Sequence, residues 1–141
     1  MNLKEVIDSL NSIALSQPDI NSYVKSGNVY DINKDGNTEF SVFCCTNSTH
    51  RYDIESARMD YTMILYYVDR LQSDGDNKIE VQSTGIQTLN NILRTFSNEN
   101  DVEVSNISYE VFTESFKQLC AGCYCTVTIS VYDEGCEEIF E

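Results

Sequence analysis

The chain has no tryptophan, one proline, one histidine and only nine basic residues among its 141. Each shortage removes a class of function. A lone His50 in a polar stretch, with no Cys or carboxylate clustered beside it in sequence, does not offer the grouped ligands of a zinc hydrolase. The sequence also lacks a Gly-x-Ser-x-Gly elbow, a Walker loop and a Gly-x-Gly-x-x-Gly run, so neither a serine triad nor a phosphate cradle is signalled. An enzyme is not expected, and neither is a bound cofactor. Nine bases against 23 acids leave a net charge of −14. Proteins grip phosphate backbones by replacing counterions with Lys and Arg, so direct nucleic-acid binding is not expected either. No run approaches the ~20 apolar residues that span a bilayer. Met1-Asn2-Leu3-Lys4-Glu5 has neither the basic nor the apolar segment of a secretory signal. A cytoplasmic start, away from membranes, is the expectation. With no repeat, low-complexity tract or composition shift, residues 1–141 are expected to form one domain ending in an acidic tail from about 133 to 141.

What is present is a pattern of helices and strands. Leu3, Val6, Ile7, Leu10, Ile13 and Ala14 form an apolar stripe at helical spacing over 3–16. Asn2 and Glu5 make a capping-box pair at its start, and Pro18 ends it. Val29–Ile32 and Glu39–Thr46 then suggest a hairpin about Lys34-Asp35-Gly36-Asn37, with Phe40, Val42 and Cys44 on one face. Residues 47–57, including His50, are polar and are expected to be a surface loop. Met59–Leu71 is rich in aromatic and β-branched residues, apolar on both faces, and should be the central strand with packing on both sides. A helix is expected from about Asn77 to Phe96, capped by Asp74 or Asp76, with Ile79, Ile86, Leu89, Leu93 and Phe96 on its apolar side. Gly85 in its middle costs about 1 kcal/mol relative to Ala, which suggests either close contact with a neighbouring backbone or, equally, a tolerated Gly. Val102–Phe112 and Cys123–Tyr132 are two further strands, joined by a short irregular or helical segment at 113–119. The fold class expected is α+β: an antiparallel or mixed sheet with two main helices packed on it.

Two local patterns invite metal binding. Cys120-x-x-Cys123-x-Cys125 has short thiolate spacing, but Cys123, Cys125, Val127, Ile129 and Val131 alternate along one strand. Such residues share a face, so the cysteines are expected to be buried small hydrophobes. Asp31-x-Asn33-x-Asp35-Gly36 resembles the first half of an EF-hand loop, yet Val42 stands where the bidentate Glu belongs. A hairpin turn favours the same residues for backbone reasons, and no metal site is expected there.

Four segments, in order and spacing, resemble the tail-terminator-like or tail-completion proteins of tailed phages, including ring-forming neck and tail proteins of crAss-like phages. They are Gly27–Asn33; Leu65–Leu71 with the acidic turn after it; Ile79–Ile86 continuing through Leu89–Leu93; and Phe112–Phe116 followed by Leu119–Gly122. The likeness spans about residues 3–132 and breaks at the polar stretch around Cys45–Ser56. It implies a tail-terminator-like, ring-forming domain in the virion neck or tail, assembled in the host cytoplasm. The ring would be a homo-oligomer, hexameric or dodecameric. It would contact portal, connector or tail rings above and below, with DNA passing the lumen unbound. Asp69, Asp74, Asp76 and Glu80, clustered at the strand-to-helix junction, are the candidate lumen or inter-ring residues; capping and solvation explain Asp74 and Asp76 equally well. The alternative is a small acidic regulator or DNA mimic that binds a basic host protein, for which the charge alone would suffice. A third possibility, a metal-dependent or hydrolytic enzyme using the Asp31 loop or the Cys120 cluster, ranks below both.

Overall fold

Helix α1 (Leu3–Leu15) starts on its capping box: Glu5 N–H donates to Asn2 Oδ1 (2.9 Å) and Asn2 N–H donates to Glu5 Oε1 (3.0 Å). These bonds satisfy two amide groups that a bare helix end would leave without partners. In the computed structural model, which describes residues 1–34, 36–72, 76–100, 102–115 and 119–132, this helix is followed by a five-stranded mixed sheet and one long helix. The strands are β1 (Ser22–Tyr23), β2 (Val42–Asp53), β3 (Arg58–Arg70), β4 (Glu103–Ser115) and β5 (Leu119–Tyr132), and helix α2 (Lys78–Asn100) joins β3 to β4. The sheet order is β1-β2-β3-β5-β4; β1 runs parallel to β2 and every other neighbour is antiparallel. The fold is thus α+β, and β3 is its central strand.

Both helices lie on one face of the sheet. Tyr61, Met63, Leu65 and Tyr67 of β3 point to that face. They are buried with Phe43 and Cys45 of β2, Cys123–Val131 alternates of β5, Val6, Leu10, Ile13 and Ala14 of α1, and Leu89, Ile92, Leu93 and Phe96 of α2. Gly85 lets α2 settle onto the sheet. A Cβ there would stand 2.8 Å from both Cys123 Sγ and the Tyr67 ring, so the close neighbours are side chains rather than backbone. The register of α2 also corrects one expectation: Val81, Gly85, Leu89, Ile92 and Phe96 face inward, which turns Ile79 outward, 71% exposed.

The opposite face of β3 is covered only near its C-terminal end, where Val68 joins Ile32, Phe40, Val42 and Cys120 in a second, smaller cluster. Packing on both sides of the strand is therefore partial, because the covering chain is a connection and not a helix. That connection replaces the expected 29–46 hairpin. Val29–Asp31 is a turn of 3-10 helix, not a strand: Asn28 Oδ1 accepts the Tyr30 N–H at 3.0 Å and closes it locally. Side-chain capping of this kind competes with strand pairing.

Three further boundaries differ. The polar residues 47–53 are not a loop but the second half of β2, and the tight turn lies at 54–57, where Glu55 N–H donates to Asp53 Oδ1 (3.0 Å). His50 is consequently half-buried in a strand with its ring edge-on to Tyr61. Of the expected irregular segment at 113–119, residues through Ser115 belong to β4 and Leu119 opens β5; 116–118 lie outside the described residues. Helix α2 continues one turn past Phe96, where Asn100 Nδ2 donates to Phe96 O (3.0 Å) and Ser9 Oγ (3.2 Å), tying α2 to α1. Among the described residues no helix is long and apolar enough to cross a membrane.

Candidate functional site: an acidic cleft and an open sheet

Charge in this chain gathers where β3 runs out. Beyond Tyr67 the helix-facing side of β3 has no apolar residue left to bury, and Asp69 follows. Asn77 links the strand end to the helix start: its Oδ1 accepts the Gln72 N–H (2.8 Å), its Nδ2 donates to Arg70 O (3.3 Å), and its carbonyl accepts the Val81 N–H (2.9 Å). This places Asp69 and Glu80 on one cleft of about 270 Å³, together with Asp19, Tyr67, Gln72, Asn77, Val81 and Thr84. Asp69 is half-buried there. Burial raises its carboxyl above the usual value, against the lowering effects of the Arg70 N–H, which donates to it at 2.8 Å, and of the Arg70 charge. The Arg70 guanidinium itself stands 5.5 Å from the centre of the Phe40 ring. Burial pushes the Tyr67 hydroxyl up to about 12.

The structure thus brings Asp69 and Glu80 together. Asp76 does not line the cleft, and Asp74 lies outside the described residues. Asp19 was not legible beforehand, because only the fold carries the residue after Pro18 to the far end of β3. Three carboxylates in one cleft repel anions and concentrate cations near them. Among the described residues, however, no group of three or more His, Cys, Asp or Glu is arranged to hold a metal ion.

The sequence patterns that suggested metal are otherwise engaged. Asp31 Oδ2 accepts from Ser26 Oγ (2.6 Å), while Asn33 and Thr38 exchange side-chain-to-backbone bonds of 2.8 and 3.2 Å. Asp35 lies outside the described residues. Cys44, Cys45, Cys120, Cys123 and Cys125 are all buried, and Cys44, Cys45, Cys123 and Cys125 are free thiols. Burial pushes the Cys44 thiol to about 11 and those of Cys123 and Cys125 to about 12. Thiols so raised are poor nucleophiles and poor metal ligands at neutral pH.

The second surface of interest is the uncovered sheet face. Tyr66, Phe112 and Tyr124 form an aromatic patch with ring centres 5.4–6.4 Å apart. Beyond it the cross-strand rows become polar: Thr46, Ile64, Thr126 and Ser108 form one row, and Arg51, Asp60, Ser130 and Glu103 another. Asp60 also accepts from Ser130 Oγ (2.7 Å) and pairs with Arg58 (3.1 Å). An open hollow of about 800 Å³ lies to one side, lined by residues of 22–26 and 31–42 including Lys25, Asp31, Lys34 and Glu39. Searches against family models and against curated proteins return no match for this chain.

Proposed function

We propose that this chain is a structural subunit of a tailed-phage virion, which assembles in the host cytoplasm into a homo-oligomeric ring at the neck or tail and joins portal, connector and tail components around the DNA channel. One observation carries the reading furthest: the sheet presents two different edge strands on opposite sides, β2 beyond Thr46 and β4. A closed ring needs a pair of unlike, complementary surfaces on each subunit. The order of the four tail-terminator-like segments supports the same reading, as does the −14 charge. On the channel side that charge would let DNA slide without sticking, and the cleft of Asp19, Asp69 and Glu80 is a candidate lumen or inter-ring surface.

Negative-stain imaging of the purified protein, with light scattering at tens of micromolar, tests the proposal. Closed rings of six or twelve copies, with a lumen wide enough for duplex DNA, are expected. A monodisperse monomer at high concentration, absent from purified virions, would overturn it. A monomer that captures a basic host protein would favour the acidic-mimic alternative.

A further inference from the structure

Between two cross-strand rows, the two free edges match each other in residue count and direction, and they carry charges that can pair. Between the Arg51–Asp60–Ser130–Glu103 row and the Thr46–Ile64–Thr126–Ser108 row, the inner strands β3 and β5 each use five residues, Asp60–Ile64 and Thr126–Ser130. The outer strands each use six, Thr46–Arg51 and Glu103–Ser108, because β2 carries a bulge between Asn47 and His50 and β4 carries one between Ser105 and Ser108. A bulged edge loses register against a straight strand, which is why bulges ordinarily protect edges from unwanted pairing. Here the same extra residue stands at nearly the same level on both sides of the sheet, so each edge counts out correctly against the other.

Direction agrees as well. The sheet alternates from β2 to β3, β5 and β4, so β2 and β4 run antiparallel to each other. A second copy set beside the first in the same orientation therefore meets it in the antiparallel sense. Charge completes the match. Glu103–Ser115 contains Glu103, Glu110 and Glu114 and no base, whereas the free part of β2 holds one base, Arg51, as well as Asp53 at its end. Pairing β4 with itself about its bulge would set Glu103 against Glu110, and like charges directly opposite are destabilising.

We propose that β2 of one copy pairs antiparallel with β4 of the next, Arg51 opposite Glu103 and Thr49 opposite Ser105, so that neighbouring subunits share one continuous sheet. The partner is a second copy of this chain, and the inference rests on the reading of the chain as a ring subunit. Such a contact is heterologous: it leaves a β4 edge free at one end and a β2 edge free at the other until the ring closes.

The test is a cross-link placed at the proposed register. Thr49→Cys and Ser105→Cys are combined in a Cys136→Ser background and exposed to mild oxidant; the buried native thiols are poorly reactive under these conditions. Within one copy the two positions are three strand spacings apart, roughly 14 Å, beyond disulfide reach. A ladder of covalent multimers, ending at the ring number, is expected. Charge exchange is the second arm. Arg51→Glu or Glu103→Arg alone should weaken association about three- to tenfold, in keeping with a surface ion pair, and the double exchange should restore it. Rings that form without the ladder, and that ignore both charge variants, would overturn the edge pairing while leaving the ring. A ladder on open filaments would uphold the pairing and remove the ring. A protein that stays monomeric at 100 μM overturns the pairing outright.

Discussion

The two faces of the sheet are built from the same strands but differ in what covers them. On one face α1 and α2 bury Met63, Leu65, Phe43, Val127 and Ile129 to nearly zero exposure. On the other, Val68, Val42 and Cys120 are covered by the connection through Ile32 and Phe40, and the rows beyond them turn to Thr, Ser and paired charges. Burial of apolar area supplies most of the stability of a small domain. The covered face therefore holds the fold, and the open face and its edges are free to carry contacts with other molecules. Adjacent residues of β3 make the sharpest test, because Leu65 and Ile64 point to opposite faces. Leu65→Ala should cost about 3–5 kcal/mol through lost burial and a residual cavity. Ile64→Ala, at a half-buried position on the open face, should cost about 1 kcal/mol. Chemical denaturation of the pair measures the difference, and equal losses would mean that the open face is covered too.

A smaller effect is expected where α2 meets the sheet. Gly85→Ala gains about 1 kcal/mol of helix propensity, but the added methyl collides with Cys123 Sγ and the Tyr67 ring at 2.8 Å. Overpacking of a full core costs about 1–3 kcal/mol, so a net loss of up to about 2 kcal/mol is expected from the thermal unfolding of this variant. A stabilised variant would show that α2 can lift from the sheet at little cost. At the other helix, Asn2→Ala removes the cap of α1 and should lose about 1 kcal/mol, measured in the same way. The covered face would then be weakened at its margin without any change to the core.

The same contrast decides what could be read from the sequence. Helix α1, strand β3 and the inward cysteines of β5 were legible because burial on one or both faces imposes a period on the residues. The second half of β2 was not legible: Asn47–Asp53 lies at an open edge where every residue but His50 is exposed, so no alternation of apolar residues is required. The start of β5 was missed for a different reason. Cys120, Ala121 and Gly122 are small residues that carry no strand signature, and at Gly122 the neighbouring strand is so close that a Cβ would lie 1.9 Å from the Tyr67 carbonyl oxygen. Of the candidate acidic residues, Asp69 and Glu80 are joined by local sequence through Asn77. Asp19 reaches the same cleft only through tertiary structure.

Asp69 marks the point where the covered face ends, and its titration gives the smallest and most specific test of that boundary. Burial raises its carboxyl above the ordinary 3.8. Between 3.8 and the higher folded value, the native state holds a proton that the unfolded chain has already released. Stability must then fall as pH rises through that interval and stay lower above it. Asp69→Asn removes this dependence while keeping an oxygen to accept the Arg70 N–H. The variant should match wild type below pH 3.8, show a flatter stability curve just above it, and be modestly more stable at neutral pH, as followed by thermal unfolding across a pH series. A variant less stable at neutral pH would mean that the Asp69 carboxylate gains more from Arg70 than it loses to burial. The cleft floor would then belong electrostatically with the solvated open face and not with the helix-covered one.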